Sequence, residues 1–260
     1  APATICNGSS TPLTAGGAST YAWSPGTGLS ATTGTTVTGS PTTTTTYTIT
    51  GTDVNGCVSS TTATVTVNPL PVVSVPSITI CTGVPGTLTA SGASTYVWSP
   101  ATGLSATTGT SVSADPPSTT TYTITGTDVN SCVSSTTSTV TVNASAIVTV
   151  PPATICNGSS APLTASGAST YTWSPGTGLS ATTGTSVTAN PTTTTTYTIT
   201  GTSAAGCVGP DVTATVTVNP LPVVSVPSTT ICTGVPGTLT ASGASTYVWS
   251  PGTGLSATTG

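Results

Sequence analysis

The ten residues at 41–50 read PTTTTTYTIT, and the same ten letters return at 191–200. A run so rich in threonine suits either a disordered stalk or a β-strand, and the two readings lead to different proteins. Within it Tyr47 and Ile49 alternate with Thr46, Thr48 and Thr50, the period-two pattern of a half-buried strand. Tyr122 with Ile124 and Tyr197 with Ile199 repeat the pattern, and Ala63, Val65 and Val67 alternate with Thr62, Thr64 and Thr66. The run is therefore read as a strand entered through a Thr-rich turn after Pro41.

Composition agrees. The 260 residues hold no Lys, Arg or His, and the four acidic residues are all Asp. An ordinary globular protein is about a quarter charged. The scarcity of charge removes the self-repulsion that keeps many chains unfolded, and the abundance of Val, Thr and Ile favours strands. With no basic side chain to neutralise phosphate, binding to nucleic acid or to an anionic membrane through charge is excluded as an expectation. No apolar run reaches the ~20 residues that cross a bilayer, and no basic n-region followed by an h-region opens the sequence. The chain reads as a mature segment.

Internal repetition organises the rest. STYAWSPGTGLSATTG at 19–34 recurs with one or two changes at 94–109, 169–184 and 245–260, so that Trp23, Trp98, Trp173 and Trp249 lie 75, 75 and 76 residues apart. The extra residue falls in VGPDVTATV at 208–216, where the first copy has VSSTTATV, as expected of a loop. Copies one and three open with ATICNGSS, whereas copies two and four share TICTGVPGTLTASGASTYVWSP, which points to duplication of a two-domain block.

Each copy offers about seven short strands. In the second these are 72–75, 87–90, 95–98, a short piece near LSATT, 110–114, 121–127 and 138–142, with Gly, Pro, Asn and Asp between them. Turn signals every ten residues or so, with no helical periodicity, predict an all-β chain of small immunoglobulin-like sandwiches placed end to end. The expected boundaries are 1–69 (first strand missing), 70–144, 145–220 and a partial unit at 221–260. NPLP at 68–71 and 219–222 leaves little slack between neighbours. At about 35–40 Å per domain the rod would extend about 130 Å. The polypeptide is expected to continue on both sides.

The blocks ICTGVPGTLTASGASTYVWSPATGLSATTG (80–109), TTTYTITGTDVNSC (119–132) and STVTVN (138–143) resemble the PKD-like, immunoglobulin-like tandem repeats of very large Bacteroidota surface and secreted proteins of the adhesin or gliding-associated type. The resemblance covers essentially the whole chain. It implies an extracellular β-sandwich serving as spacer or adhesive stalk, and it brings no catalytic residues.

Seven cysteines follow the repeat. Cys6 and Cys57, Cys81 and Cys132, and Cys156 and Cys207 are each 51 residues apart, while Cys232 would meet its equivalent partner beyond Gly260. Pairing within each copy is the first expectation, and it places the chain outside a reducing cytosol. Topology raises an alternative, because the turn after the first strand and the turn before the last lie at opposite ends of a regular sandwich. Cys6 with Cys132 and Cys81 with Cys207 are also evenly spaced, at 126 residues, and would join touching ends of neighbours. Both pairings stand open at this point.

Candidate sites are few. Without His, Lys, Arg or Glu the chain lacks the usual proton carriers and charged stabilisers, so no catalytic residue, cofactor site or metal site is assigned and no enzyme is expected. Asp53 and Asp128 fall in GTDVN turns, where Asp caps backbone amides; Asp115 and Asp211 complete the set. One carboxylate per copy is thin for Ca²⁺. Tyr21, Trp23, Tyr47, Tyr96, Trp98, Tyr122, Tyr171, Trp173, Tyr197, Tyr247 and Trp249 are read as core aromatics rather than a sugar-stacking platform. The outward threonine ranks are read as wetted strand surface and candidate O-glycosylation sites, and Asn7, Asn143 and Asn157 match the N-glycosylation pattern. The function expected is structural: an extracellular filament, stalk or adhesin that associates with itself or with filament neighbours. The alternative is an array of modules that bind surface glycans, mineral or ice.

Overall fold

The computed structural model describes residues 2–260. The chain divides into two compact units, one reaching Ala144 and the other running from Ser145 to Gly260. All named elements are strands. In the first copy they are β1 (Ala3–Cys6), β2 (Thr11–Thr14), β3 (Thr20–Ser24), β4 (Thr36–Gly39), β5 (Thr45–Thr52) and β6 (Val58–Asn68). The second repeats the set as β7 (Ile78–Cys81), β8 (Gly86–Thr89), β9 (Thr95–Ser99), β10 (Ser111–Ala114), β11 (Thr120–Thr127) and β12 (Val133–Asn143). The third has β13 (Ala153–Cys156), β14 (Ala161–Thr164), β15 (Thr170–Ser174), β16 (Ser186–Ala189), β17 (Thr195–Thr202) and β18 (Val212–Asn219).

Each of the first three copies is a two-sheet sandwich. One sheet has the order β1-β6-β5-β3, with β1 parallel to β6 and the other pairs antiparallel, and the second sheet is the pair β2-β4. The same arrangement recurs in β7–β12 and β13–β18, and it is the architecture of an immunoglobulin-like domain. Alternation sets the faces. In β5 the inward Tyr47 and Ile49 are buried, whereas Thr46 and Thr48 face solvent. The threonines bond across strands instead: the hydroxyls of Thr46 and Thr64, of Thr121 and Thr139, and of Thr196 and Thr215 are each 2.9 Å apart.

The core of each sandwich is a small apolar cluster around one tryptophan and two tyrosines. Their polar atoms have partners, which is the condition for burying them. Trp23, Trp98 and Trp173 donate Nε1–H to the carbonyls of Gly34, Gly109 and Gly184 at 2.8–2.9 Å. The Tyr47, Tyr122 and Tyr197 hydroxyls donate to the carbonyls of Thr27, Thr102 and Thr177.

Three expectations need correction. Residues 72–75 form no named strand and join the second sandwich through the single bridge Ser74–Ser91; the piece near LSATT contributes only bridges such as Val97–Thr108. A strand at Ile78–Cys81 takes part instead, held by parallel pairing to β12. Beyond Asn219 no named strand is found among the described residues, and Tyr247 and Trp249, expected in a core, are only half-buried. The strands that would cover them have no counterpart in this last stretch, although Tyr247 keeps its local bonds to Ala244.

Candidate functional site at the repeat junction

Asp128 explains why a cysteine stands where it does. Its Oδ1 accepts the amide N–H of Asn130 and of Cys132, both at 2.8 Å, folding the turn between β11 and β12. Asp53 does the same for Asn55 and Cys57. In the third copy the shorter Ser203 accepts from the Cys207 amide at 3.2 Å. In the first two copies the turn thus presents the cysteine immediately before the last strand of the sandwich.

The other cysteine of each copy sits at the opposite end. Parallel pairing of β1 with β6 sets Cys6 level with Asn68, and pairing of β7 with β12 sets Cys81 level with Asn143. Between Cys132 and Asn143 lies the whole of the 11-residue β12, roughly 35 Å at ~3.4 Å per residue. A disulfide needs its Cα atoms within about 7 Å. Pairing within a copy is therefore ruled out for Cys81 with Cys132 and, along β6, for Cys6 with Cys57.

The observed bond is Cys6–Cys132, with Cα atoms 5.5 Å apart and a sequence separation of 126. It joins the end of β1 in one sandwich to the β11–β12 turn of the next. Cys132 is fully buried. Cys57, Cys156 and Cys232 are exposed free thiols, so the expectation that Cys57 and Cys156 are paired within their copies is corrected. Neither Cys81 nor Cys207 is free.

Asp211 accepts a hydrogen bond from the Thr200 hydroxyl, and the Asp115 amide donates to the Gly103 carbonyl. Among the described residues no three His, Cys, Asp or Glu side chains converge as a metal cluster would require. Asn7 and Asn157 are exposed, and Asn143 is half-buried. No helix of the described residues is long and apolar enough to cross a membrane.

No family model matches the chain, and no curated protein is similar to it. Solved structures that resemble it are multidomain. Extracellular domains 3–5 of Drosophila OTK match at 10% identity and a TM-score of 0.36, over 84% of this chain and 94% of that one. The N-terminal eight immunoglobulin domains of the Down syndrome cell adhesion molecule match at 13% and 0.39, over 84% and 36%. A Ca²⁺-stabilised adhesin with which an Antarctic bacterium binds ice matches at 18% and 0.34, over 86% and 74%.

The sequence reading missed one feature, a groove in the first sandwich lined by Gly17, Ala18, Tyr21, Gly51 and Ala63.

Proposed function

We propose that the chain is a structural segment of an extracellular filament, stalk or adhesin, built of successive units at 1–69, 70–144, 145–220 and 221–260 and related to the PKD-like repeats of large Bacteroidota surface proteins. The observation that carries this reading is the Cys6–Cys132 bond. A disulfide inside a domain stabilises that domain alone. One that leaves the last turn of a sandwich for the first strand of its predecessor stiffens the joint and carries tension past the linker.

The surface suits exposure. The absence of Lys and Arg removes every trypsin-type cleavage site, and a net charge of −4 opposes lateral packing of neighbours only weakly. The threonine hydroxyls bond across strands, which is a structural use for ranks that could otherwise present a ligand-binding array. Asn7 and Asn157 are the exposed candidates for glycosylation.

Electron microscopy of native surface material, labelled with an antibody to the repeat, tests the reading. Label spaced regularly along fibres is expected. Label confined to soluble particles, or to a bound glycan or ice surface, would overturn it.

A further inference from the structure

The turn that follows Cys6 carries a reactive pair, Asn7 and Gly8. The Ser9 amide donates to the Cys6 carbonyl at 2.9 Å, and the Asn7 amide donates to the Asn68 carbonyl at 2.9 Å, which pins the turn to the end of β6. Gly8 has φ +84° and Asn7 does not enter the left-handed region, the backbone of a type II turn with glycine at its third position. Such a turn bonds through the amide of its fourth residue and leaves the amide of the third unused. Among the described residues the Gly8 amide donates to no acceptor, and a methyl group placed on Gly8 would meet nothing within 4 Å. Asn7 is exposed.

Two other Asn–Gly pairs occur in the sequence, and the fold treats them differently. Asn157 and Gly158 repeat the first turn, with Ser159 donating to the Cys156 carbonyl at 2.9 Å and Gly158 at φ +85°. Asn55 and Gly56 stand in the β5–β6 turn instead, where the Gly56 amide is committed to the Asp53 carbonyl at 3.2 Å. Pairs identical in sequence thus differ in whether the glycine nitrogen is free.

We propose that Asn7, with Asn157 as its counterpart in the third copy, is a site of spontaneous deamidation, and that Asn55 is protected from it. The Gly8 nitrogen attacks the side-chain carbonyl carbon of Asn7. The Cγ–Nδ2 bond breaks, the Gly8 amide proton passes through solvent to the departing nitrogen, and ammonia leaves behind a five-membered imide. Water then opens either imide carbonyl to give aspartate or isoaspartate, with no other reactant. The amide must lose its proton before it attacks, so an uncommitted glycine N–H is the condition for the first step. The product carries a carboxylate one residue from Cys6. The disulfide joint, which already holds the Asp128 carboxylate on its Cys132 side, gains a second negative charge with age. In the second copy Thr82 stands at the equivalent place, its hydroxyl donating to the Asn143 carbonyl at 3.2 Å, and threonine forms no imide. Copy four has Thr233 there, so the labile residue marks alternate copies. The inference depends on turn geometry alone and would survive failure of the filament reading.

The test is incubation of the folded 260-residue chain, made in a host that attaches no N-glycan, at neutral pH in heavy-oxygen water. Samples taken at intervals are reduced, digested with chymotrypsin and mapped by mass spectrometry. Label is expected at Asn7 and Asn157 at least about fivefold faster than at Asn55, the factor that the net worth of one hydrogen bond supplies. In denaturant with reductant the three sites should react at one common rate. The variant Asn7→Thr, which borrows the residue of the second copy, should lose the label from its peptide and leave Asn157 unchanged. Folded-state rates at Asn7 or Asn157 no faster than at Asn55 would overturn the proposal. So would a rate difference that persists undiminished in the denatured chain, because the turn would not then be its cause.

Discussion

The Asp128 carboxylate holds the amide of Cys132 at 2.8 Å, four residues away, and so fixes the sulfur that crosses to Cys6. Replacing Asp128 by Ala strips two amides of their acceptor, at a cost of about 1–3 kcal/mol if neither finds water. Slower closure of the Cys6–Cys132 bond on oxidative refolding, followed by thiol trapping, is the expected outcome. Asp128→Ser should fall between, since Ser203 serves the third copy with one longer bond.

Peptide mapping without reduction should recover residues 6 and 132 in one linked species. No linkage at the spacing of 51 is expected. Cys6→Ser should lower the unfolding free energy by up to about 5 kcal/mol on the chain-entropy estimate, read by denaturant titration against the parent.

Gly17 and Gly92 both have positive φ, +99° and +93°, so alanine is strained at either site by about 1 kcal/mol. Only at Gly92 does the methyl also strike the Val72 carbonyl. Gly92→Ala should therefore destabilise its sandwich by about 2 kcal/mol more than Gly17→Ala does, again by denaturant titration. Equal effects would show that residues 71–77 contribute nothing to their own domain.

Burial pushes the phenols of Tyr47, Tyr122 and Tyr197 above their ordinary 10.0, opposed at Tyr47 by a hydrogen bond with Thr45. A folded-state value above the unfolded one means that stability is intact below pH 10 and declines as the pH rises through the folded values. Alkaline titration should show the tyrosinate absorbance of these residues appearing together with loss of β circular dichroism. Ionisation without unfolding would contradict the packing.

Alternation made β5, β11 and β17 legible, because Tyr and Ile mark the buried face against threonine on both sides. The strand Ala3–Cys6 was not legible: it buries one residue, Ile5, and its partner Val65–Asn68 is some sixty positions away. The first half of β6, Val58–Thr62, faces solvent throughout and carries no apolar rhythm, so only its end was read as strand. The cysteines show the same limit. Two spacings were equally regular, and choosing between them required knowing that an 11-residue strand separates Cys132 from the far end of its own sandwich.

The Cys6–Cys132 bond encloses every peptide link from residue 6 to residue 132 in one covalent ring. A single backbone cut anywhere in that ring opens it without parting the two sides. Such a nick changes the path of the chain and leaves it in one piece; even a second cut inside the ring only frees the fragment between the cuts, and parting the two flanks takes a cut and a reductant.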